Sequence, residues 1–295
     1  GGGKTISLKF IALMLAHGPL GAARLRLDAP YIPIYVRLAQ YAERVKDNSG
    51  LSLEKFLLES VGDYYAPNAN RFNEYMQLAL EKGLCMILLD GLDEVGDIGD
   101  TLIKGKTLRD TVLVEVQRFS RQRCLDCANR ILVTSRLEGY HRGDLRDFEE
   151  MELSALSLPD EVREFLVRWF AAHEQKNHPR LELPEIFQRA QTLVEPLLDD
   201  ILRSASVQRL AINPLLLTIL AMIYQLGTRL PNERVRLYQI VTQTMIESWR
   251  QAQTHHNISI YDVLPASRVM PMMASLAYWV HENKPGGTMP EPEWR

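Results

Sequence analysis

Apolar positions recur along this chain with two rhythms, and the rhythm changes near residue 155. Before that point, short apolar runs alternate with stretches in which apolar residues return every three or four positions. Tyr31–Leu38 (YIPIYVRL) is apolar and rich in β-branched residues, and Pro33 argues for an edge strand or a strand's beginning. Leu84–Asp90 (LCMILLD) is a continuous apolar run, the pattern of a strand buried on both faces of a parallel sheet. Arg130–Arg136 (RILVTSR) predicts a third strand, and Phe148–Leu153 (FEEMEL) a last one. Helical periodicity occupies 51–61, 71–82 and 107–122, while 96–106 reads as a loop. Strands alternating with helices predict an α/β domain with a parallel sheet and right-handed crossovers.

After residue 155 the strand signal fades. Ser157–Glu161 (SLPDE) opens a helix, with Pro159 suited to the first turn and acids suited to its positive end. Val162, Phe165, Leu166, Trp169 and Phe170 then share one face. Further helices are expected near 184–204, 214–226, 233–253 and 267–282. No repeat at a fixed period is visible.

Composition narrows the class. The chain has 295 residues, 46% apolar and 24% charged, as in globular proteins. Lys plus Arg is 34 and Asp plus Glu is 37, so the net charge is 34 − 37 = −3 and carries no nucleic-acid signature. Three cysteines make no disulfide framework, so a reducing, cytoplasmic setting is expected. Cys124 and Cys127 form a lone C-x-x-C that cannot close a tetrahedral zinc site, and Cys85 reads as core. His173, His178, His255 and His256 lack ligand partners at metal spacing. No apolar run reaches the length of a membrane span.

The candidate chemistry lies in three places. Gly1, Gly2, Gly3, Lys4 and Thr5 open the chain and lead at once into an apolar helical stretch. This is the back half of the phosphate-loop motif G-x-x-x-x-G-K-[ST]. Its glycines let backbone N–H groups approach phosphate oxygens, and the following helix offers its positive end to the anion. Lys4 is expected to reach the β- and γ-phosphates and the Thr5 hydroxyl to ligate Mg²⁺. The front half of the motif and its strand are expected upstream. The last residues, 284–295, are loop-like, so the far end is expected to continue as well.

The second place is Asp90, at the carboxyl end of the buried strand, where open α/β sheets place ligands. Asp90 is expected to hold Mg²⁺ through water. Asp93 and Glu94, just beyond it, could orient or deprotonate an attacking water. The third is Arg136 at the tip of the third strand, where a cation can reach a γ-phosphate. Each feature has a plain structural reading: a flexible glycine run, an acidic loop, a surface arginine. Their occurrence together, each in the context the others require, favours a nucleotide-binding, Mg²⁺-dependent site. No Gly-x-Ser-x-Gly elbow occurs.

These residues resemble the NACHT family of P-loop NTPases. Leu88–Glu94 (LLDGLDE) looks like that family's Walker B segment, with a small residue after the Mg²⁺ aspartate and two acids after one apolar position. Ile131–Arg136 (ILVTSR) looks like its sensor strand. Ile212–Leu217 (INPLLL) resembles its Asn-Pro motif, which implies that Pro214 lies against the nucleotide base. Leu230–Gln239 (LPNERVRLYQ) resembles the start of its winged-helix domain. Leu137 stands where many members have proline. The family's winged-helix histidine finds no matching motif, and His281 is not assigned that role.

The resemblance implies three parts: a nucleotide-binding domain over 1–154 lacking its first strand, a helical domain over 155–228, and the beginning of a winged-helix domain over 229–295. It implies an ATP/ADP-controlled signalling switch, in defence or programmed death, that self-associates through the NTPase domain and hydrolyses ATP slowly. Sensor and effector domains are expected outside these residues. A turnover ATPase doing mechanical work, or a non-hydrolysing nucleotide-bound scaffold, are the alternatives. Preference for ATP over GTP comes from the resemblance alone.

Overall fold

The apolar run Leu84–Asp90 becomes the middle of a sheet because it has no polar face to leave in water. In the computed structural model, strand β2 (Cys85–Asp90) is buried at every position. It lies between β1 (Ile32–Arg37) and β3 (Arg130–Val133), all three parallel. The residues described are 3–62, 69–95, 107–125, 128–137, 140, 141, 143–225, 235, 236, 238–243, 246 and 266–283. They divide into two compact units, Gly3–Glu152 and Leu153–Arg295. Among them the architecture is mixed α/β, with one small parallel sheet and mostly helices.

In the first unit, the alternation of side chains across the strands assigns a core to each face. Ile34 and Val36 of β1 join Ile87 and Leu89 of β2 in the larger core. There they pack under helices α3 (Leu38–Asp47), α4 (Leu53–Gly62), α5 (Ala69–Glu81) and α6 (Leu108–Ser120). Met86 and Leu88 point the other way, to a smaller core with Leu8 and Leu15 of helix α1 (Lys4–Ala16). A short helix α2 (Pro19–Arg24) follows α1. Helices therefore cover both faces, which is what a run without alternating polarity requires.

Local chemistry sets several boundaries. Thr107 and Asp110 form a capping box at the start of α6, each side chain bonded to the other's backbone N–H at 3.0 and 3.2 Å. Pro33 sits in β1, an outer strand of the three, so its missing N–H leaves the β1–β2 pairing intact. The chain passes from β1 straight into α3 at Leu38. The expected strand over Phe148–Leu153 does not form: those residues pair with no strand among the described residues, and Met151 and Leu153 are exposed. The loop expected over 96–106 lies outside the described residues.

The second unit is helical as described. Helices α7 (Asp160–Asn177), α8 (Leu183–Arg203), α9 (Ala205–Ala211) and α10 (Pro214–Gln225) bury Val162, Leu166, Phe170, Val194, Leu198 and Leu220 in a core of their own. The face read from Val162, Phe165, Leu166, Trp169 and Phe170 is the one that meets this core. A further helix, α11, spans Ala266–Asn283. The helix expected over 233–253 lies mostly outside the described residues. No single helix among the described residues is long and apolar enough to cross a membrane.

Candidate functional site

The parallel register carries three strand tips to one edge of the first unit. Arg37 ends β1 opposite Asp90, the last residue of β2, and Thr134 follows β3 directly. Asp90 shares a sheet face with Met86 and Leu88, because side chains two apart in a strand project together. That is the face covered by α1.

Asp90 is buried, with 5% of its surface exposed. A buried carboxylate needs hydrogen bonds on its oxygens. Asp90 has one on each: the Tyr35 hydroxyl donates to Oδ2 at 2.9 Å, and the Thr134 hydroxyl donates to Oδ1 at 2.7 Å. Thr134 Oγ1 in turn accepts the Gly91 N–H at 3.1 Å. The Tyr35 phenol is pushed up to about 12 by burial first and by its bond to the Asp90 carboxylate second, so it stays a donor at neutral pH.

Gly91 lets the chain turn away from the strand. It adopts φ 78°, and a Cβ there would lie 3.0 Å from Glu94 Cδ. The turn is fixed by Leu92, whose N–H donates to the Thr134 carbonyl at 2.8 Å and whose side chain is buried in the larger core. A short 3₁₀ turn, Leu92–Glu94, then presents two acids side by side.

Each acid faces an arginine from a neighbouring strand tip. Asp93 Oδ1 accepts the Arg136 backbone N–H at 2.9 Å, and Oδ2 lies 3.1 Å from Arg136 Nε. Asp93 is mostly covered, with 12% of its side chain exposed, whereas the Arg136 side chain is 67% exposed. Glu94 Oε2 lies 3.5 Å from Arg37 Nη2, and both side chains are open to water.

The phosphate-loop residues divide. Gly1 and Gly2 lie outside the described residues. Gly3, at φ 80°, precedes the first turn of α1, which has no side-chain cap and no acid. Its leading N–H groups are thus left to solvent or to an anion, in spite of a lysine at the first position. Among the described residues, the Lys4 and Thr5 side chains engage in no hydrogen bond or ion pair. Cys85 opens β2 as the expected core residue, its thiol pushed up to about 12 by burial. Cys124 is half-buried, and Cys127 lies outside the described residues.

Pro214 belongs to the second unit and begins α10. Asn213 caps that helix, its Oδ1 accepting the N–H groups of Leu215 and Leu216 at 3.0 and 3.3 Å. The Asn-Pro pair therefore has a complete helix-start role.

No set of three His, Cys, Asp or Glu side chains among the described residues could cage a metal. Mg²⁺ is commonly held by one or two carboxylates together with waters and substrate phosphates, and the hard oxygens of Asp90 and Thr5 suit it. Compared with protein-family models, curated proteins and solved structures, the chain matches none.

Sequence reasoning named Asp90, Asp93, Glu94 and Arg136, and the structure brings all four to one edge. It missed Tyr35 and Arg37. Their signal was the β1–β2 register, which sets Tyr35 across from Leu88 and Arg37 across from Asp90. That register cannot be read from either strand alone.

Proposed function

We propose that this chain is an ATP-binding, Mg²⁺-dependent NTPase that hydrolyses slowly and acts as a nucleotide-controlled, self-associating switch, like the NACHT proteins it resembles. The observation that carries the reading is the strand-tip cluster. A buried aspartate ends the central parallel strand, and two further acids one turn on are each paired with an arginine from an adjacent tip. A merely solvated acidic loop has no need of a buried carboxylate held by two hydroxyls.

Each residue has a role in this proposal. The open N–H groups of α1 and the Lys4 ammonium bind the phosphates. Thr5 and Asp90 hold Mg²⁺, which neutralises charge on the β- and γ-phosphates when bound. Asp93, its carboxylate fixed by the Arg136 N–H, orients and deprotonates the attacking water, with Glu94 beside it. Arg136 moves to the γ-phosphate when one is present. Until then it neutralises Asp93, which fits slow hydrolysis.

The test is nucleotide binding and single-turnover hydrolysis by the full-length protein, with ATP, ADP and GTP in Mg²⁺. Lys4→Ala is expected to lose binding. Asp93→Asn is expected to keep binding and to lose hydrolysis by about 10²–10⁴-fold, the usual contribution of a positioned base. Lys4→Ala binding ATP as the wild type does would end the phosphate-loop assignment.

A further inference from the structure

The Tyr35 side chain presents a puzzle of composition. Its ring packs with Leu8, Leu15, Met86 and Leu88 in the smaller core, a setting that phenylalanine would fill equally well. The hydroxyl adds nothing to that packing. It is spent on Asp90 Oδ2, at 2.9 Å, while Thr134 spends its own on Oδ1, at 2.7 Å.

We propose that Tyr35 is a positioning residue: with Thr134 it forms a two-hydroxyl clamp that sets the Asp90 carboxylate to receive a hydrated divalent cation. The inference rests on the proposed reading of Asp90 as the Mg²⁺ aspartate. The clamp follows from lone-pair accounting. A carboxylate offers about four acceptor sites, and one on each oxygen is taken. The carboxylate plane is thereby fixed from both ends, and each oxygen keeps a lone pair for a cation's water. One donor lies in β1 and the other directly after β3, where the Thr134 N–H is still bonded to the Leu89 carbonyl of β2 at 2.9 Å, so the orientation is locked to the sheet. Hydroxyls suit the task because they hold the acid without neutralising it, as a lysine or arginine would. Partners of this kind, one step removed from a metal, typically change its affinity by about 10–100-fold when removed.

The experiment titrates Mg²⁺ against ATP binding by the full-length protein, in the wild type, Tyr35→Phe, Thr134→Val and Asp90→Asn. Thermal unfolding is followed alongside. Tyr35→Phe keeps the ring and its burial, so it is expected to fold. The Mg²⁺ concentration for half-maximal tightening of ATP binding is expected to rise about 10-fold in Tyr35→Phe and by a similar factor in Thr134→Val. A residue that only satisfied a buried acid would lower the unfolding temperature and leave that concentration where it was. If Asp90→Asn abolishes the Mg²⁺ effect while Tyr35→Phe and Thr134→Val titrate within about twofold of wild type, well short of that shift, the clamp is refuted and the Mg²⁺ aspartate stands. If the wild type itself binds ATP with no dependence on Mg²⁺, the Mg²⁺ assignment falls and the clamp falls with it. Should Tyr35→Phe prove unfolded, Thr134→Val decides alone.

Discussion

Asn129→Ala is expected to be among the most destabilising single changes in the first unit, although Asn129 touches none of the proposed chemistry. The residue is 3% exposed and sits just before β3. Its Oδ1 accepts the Cys85 N–H at 2.9 Å, and its Nδ2 donates to the carbonyls of Leu80 at 2.8 Å and Arg123 at 2.6 Å. One amide thus joins the end of α5, the start of β2 and the π-helical turn after α6. Alanine removes all three bonds, takes the acceptor from the buried Cys85 N–H, and leaves the Leu80 carbonyl with only the longer 3.3 Å bond from the Gly83 N–H. An intramolecular hydrogen bond is worth about 1 kcal/mol net, and an orphaned buried group costs about 1–3 kcal/mol. The carbonyls can relax more easily than the N–H at the head of an inner strand, so the expected loss is about 3–5 kcal/mol. That is a large part of the roughly 5–15 kcal/mol of an ordinary domain. Urea unfolding followed by far-ultraviolet circular dichroism reads it, as a midpoint lowered by about 2 M for a slope of about 2 kcal/mol/M. All four tryptophans of the chain, Trp169, Trp249, Trp279 and Trp294, lie beyond the first unit, so tryptophan fluorescence reports on the rest. A loss below about 1 kcal/mol with an unchanged slope would refute the reasoning, because it would mean that water or local relaxation satisfies the three groups at no cost.

Two further outcomes follow from the same geometry. Asp144 is under two opposed influences: burial, the largest, raises its pKa, but the Arg109 and His141 contacts together outweigh it and hold the carboxyl below its ordinary value of 3.8. A depressed folded pKa stabilises the fold above the unfolded value and loses that contribution as pH falls through the folded one, so thermal melts from about pH 6 to about pH 3 should fall less steeply in Asp144→Asn than in wild type. Gly91→Ala forces an L side chain to φ 78° and sets its Cβ 3.0 Å from Glu94 Cδ, so it should cost about 1–3 kcal/mol in chemical denaturation and displace Glu94 from Arg37.

What was legible in the sequence was what burial writes into composition. The β2 run has to be apolar at every position because helices cover both its faces, and the acid that ends it stands out for that reason. The helical half showed through the spacing of Val162, Leu166 and Phe170. What escaped was set by pairing or by uncapped junctions. Helix α3 begins directly at the end of β1, and Arg37, at the junction, makes no side-chain cap bond, so no helix-start signal separated the two. Phe148–Leu153 carries apolar residues at strand-like density, yet no neighbouring strand takes its backbone among the described residues. Tyr35 was hidden because its partner lies 55 residues away, and only the parallel register joins them. The Asn213-Pro214 motif is visible in sequence, and the structure gives it a helix-start role.

The two arginine pairs bear on how the proposed switch could respond to nucleotide. Arg136 and Arg37 are each more than half exposed, at 67% and 54% of their side chains. Ion pairs of that kind are worth about 0–1 kcal/mol, since water solvates the separated charges nearly as well. Opening them therefore costs little beside nucleotide binding, since a micromolar affinity would correspond to about 8 kcal/mol. The Asp93–Arg136 pair cannot act as a strong lock. Its effect is to keep the carboxylate in place while the guanidinium is free to leave, because the Arg136 N–H holds Asp93 Oδ1 independently of the side chain. A phosphate that drew the guanidinium away would leave Asp93 positioned and newly unpaired, which is the state a general base requires. The backbone bond thus separates two properties that the ion pair alone would couple: where Asp93 points, and whether its charge is neutralised.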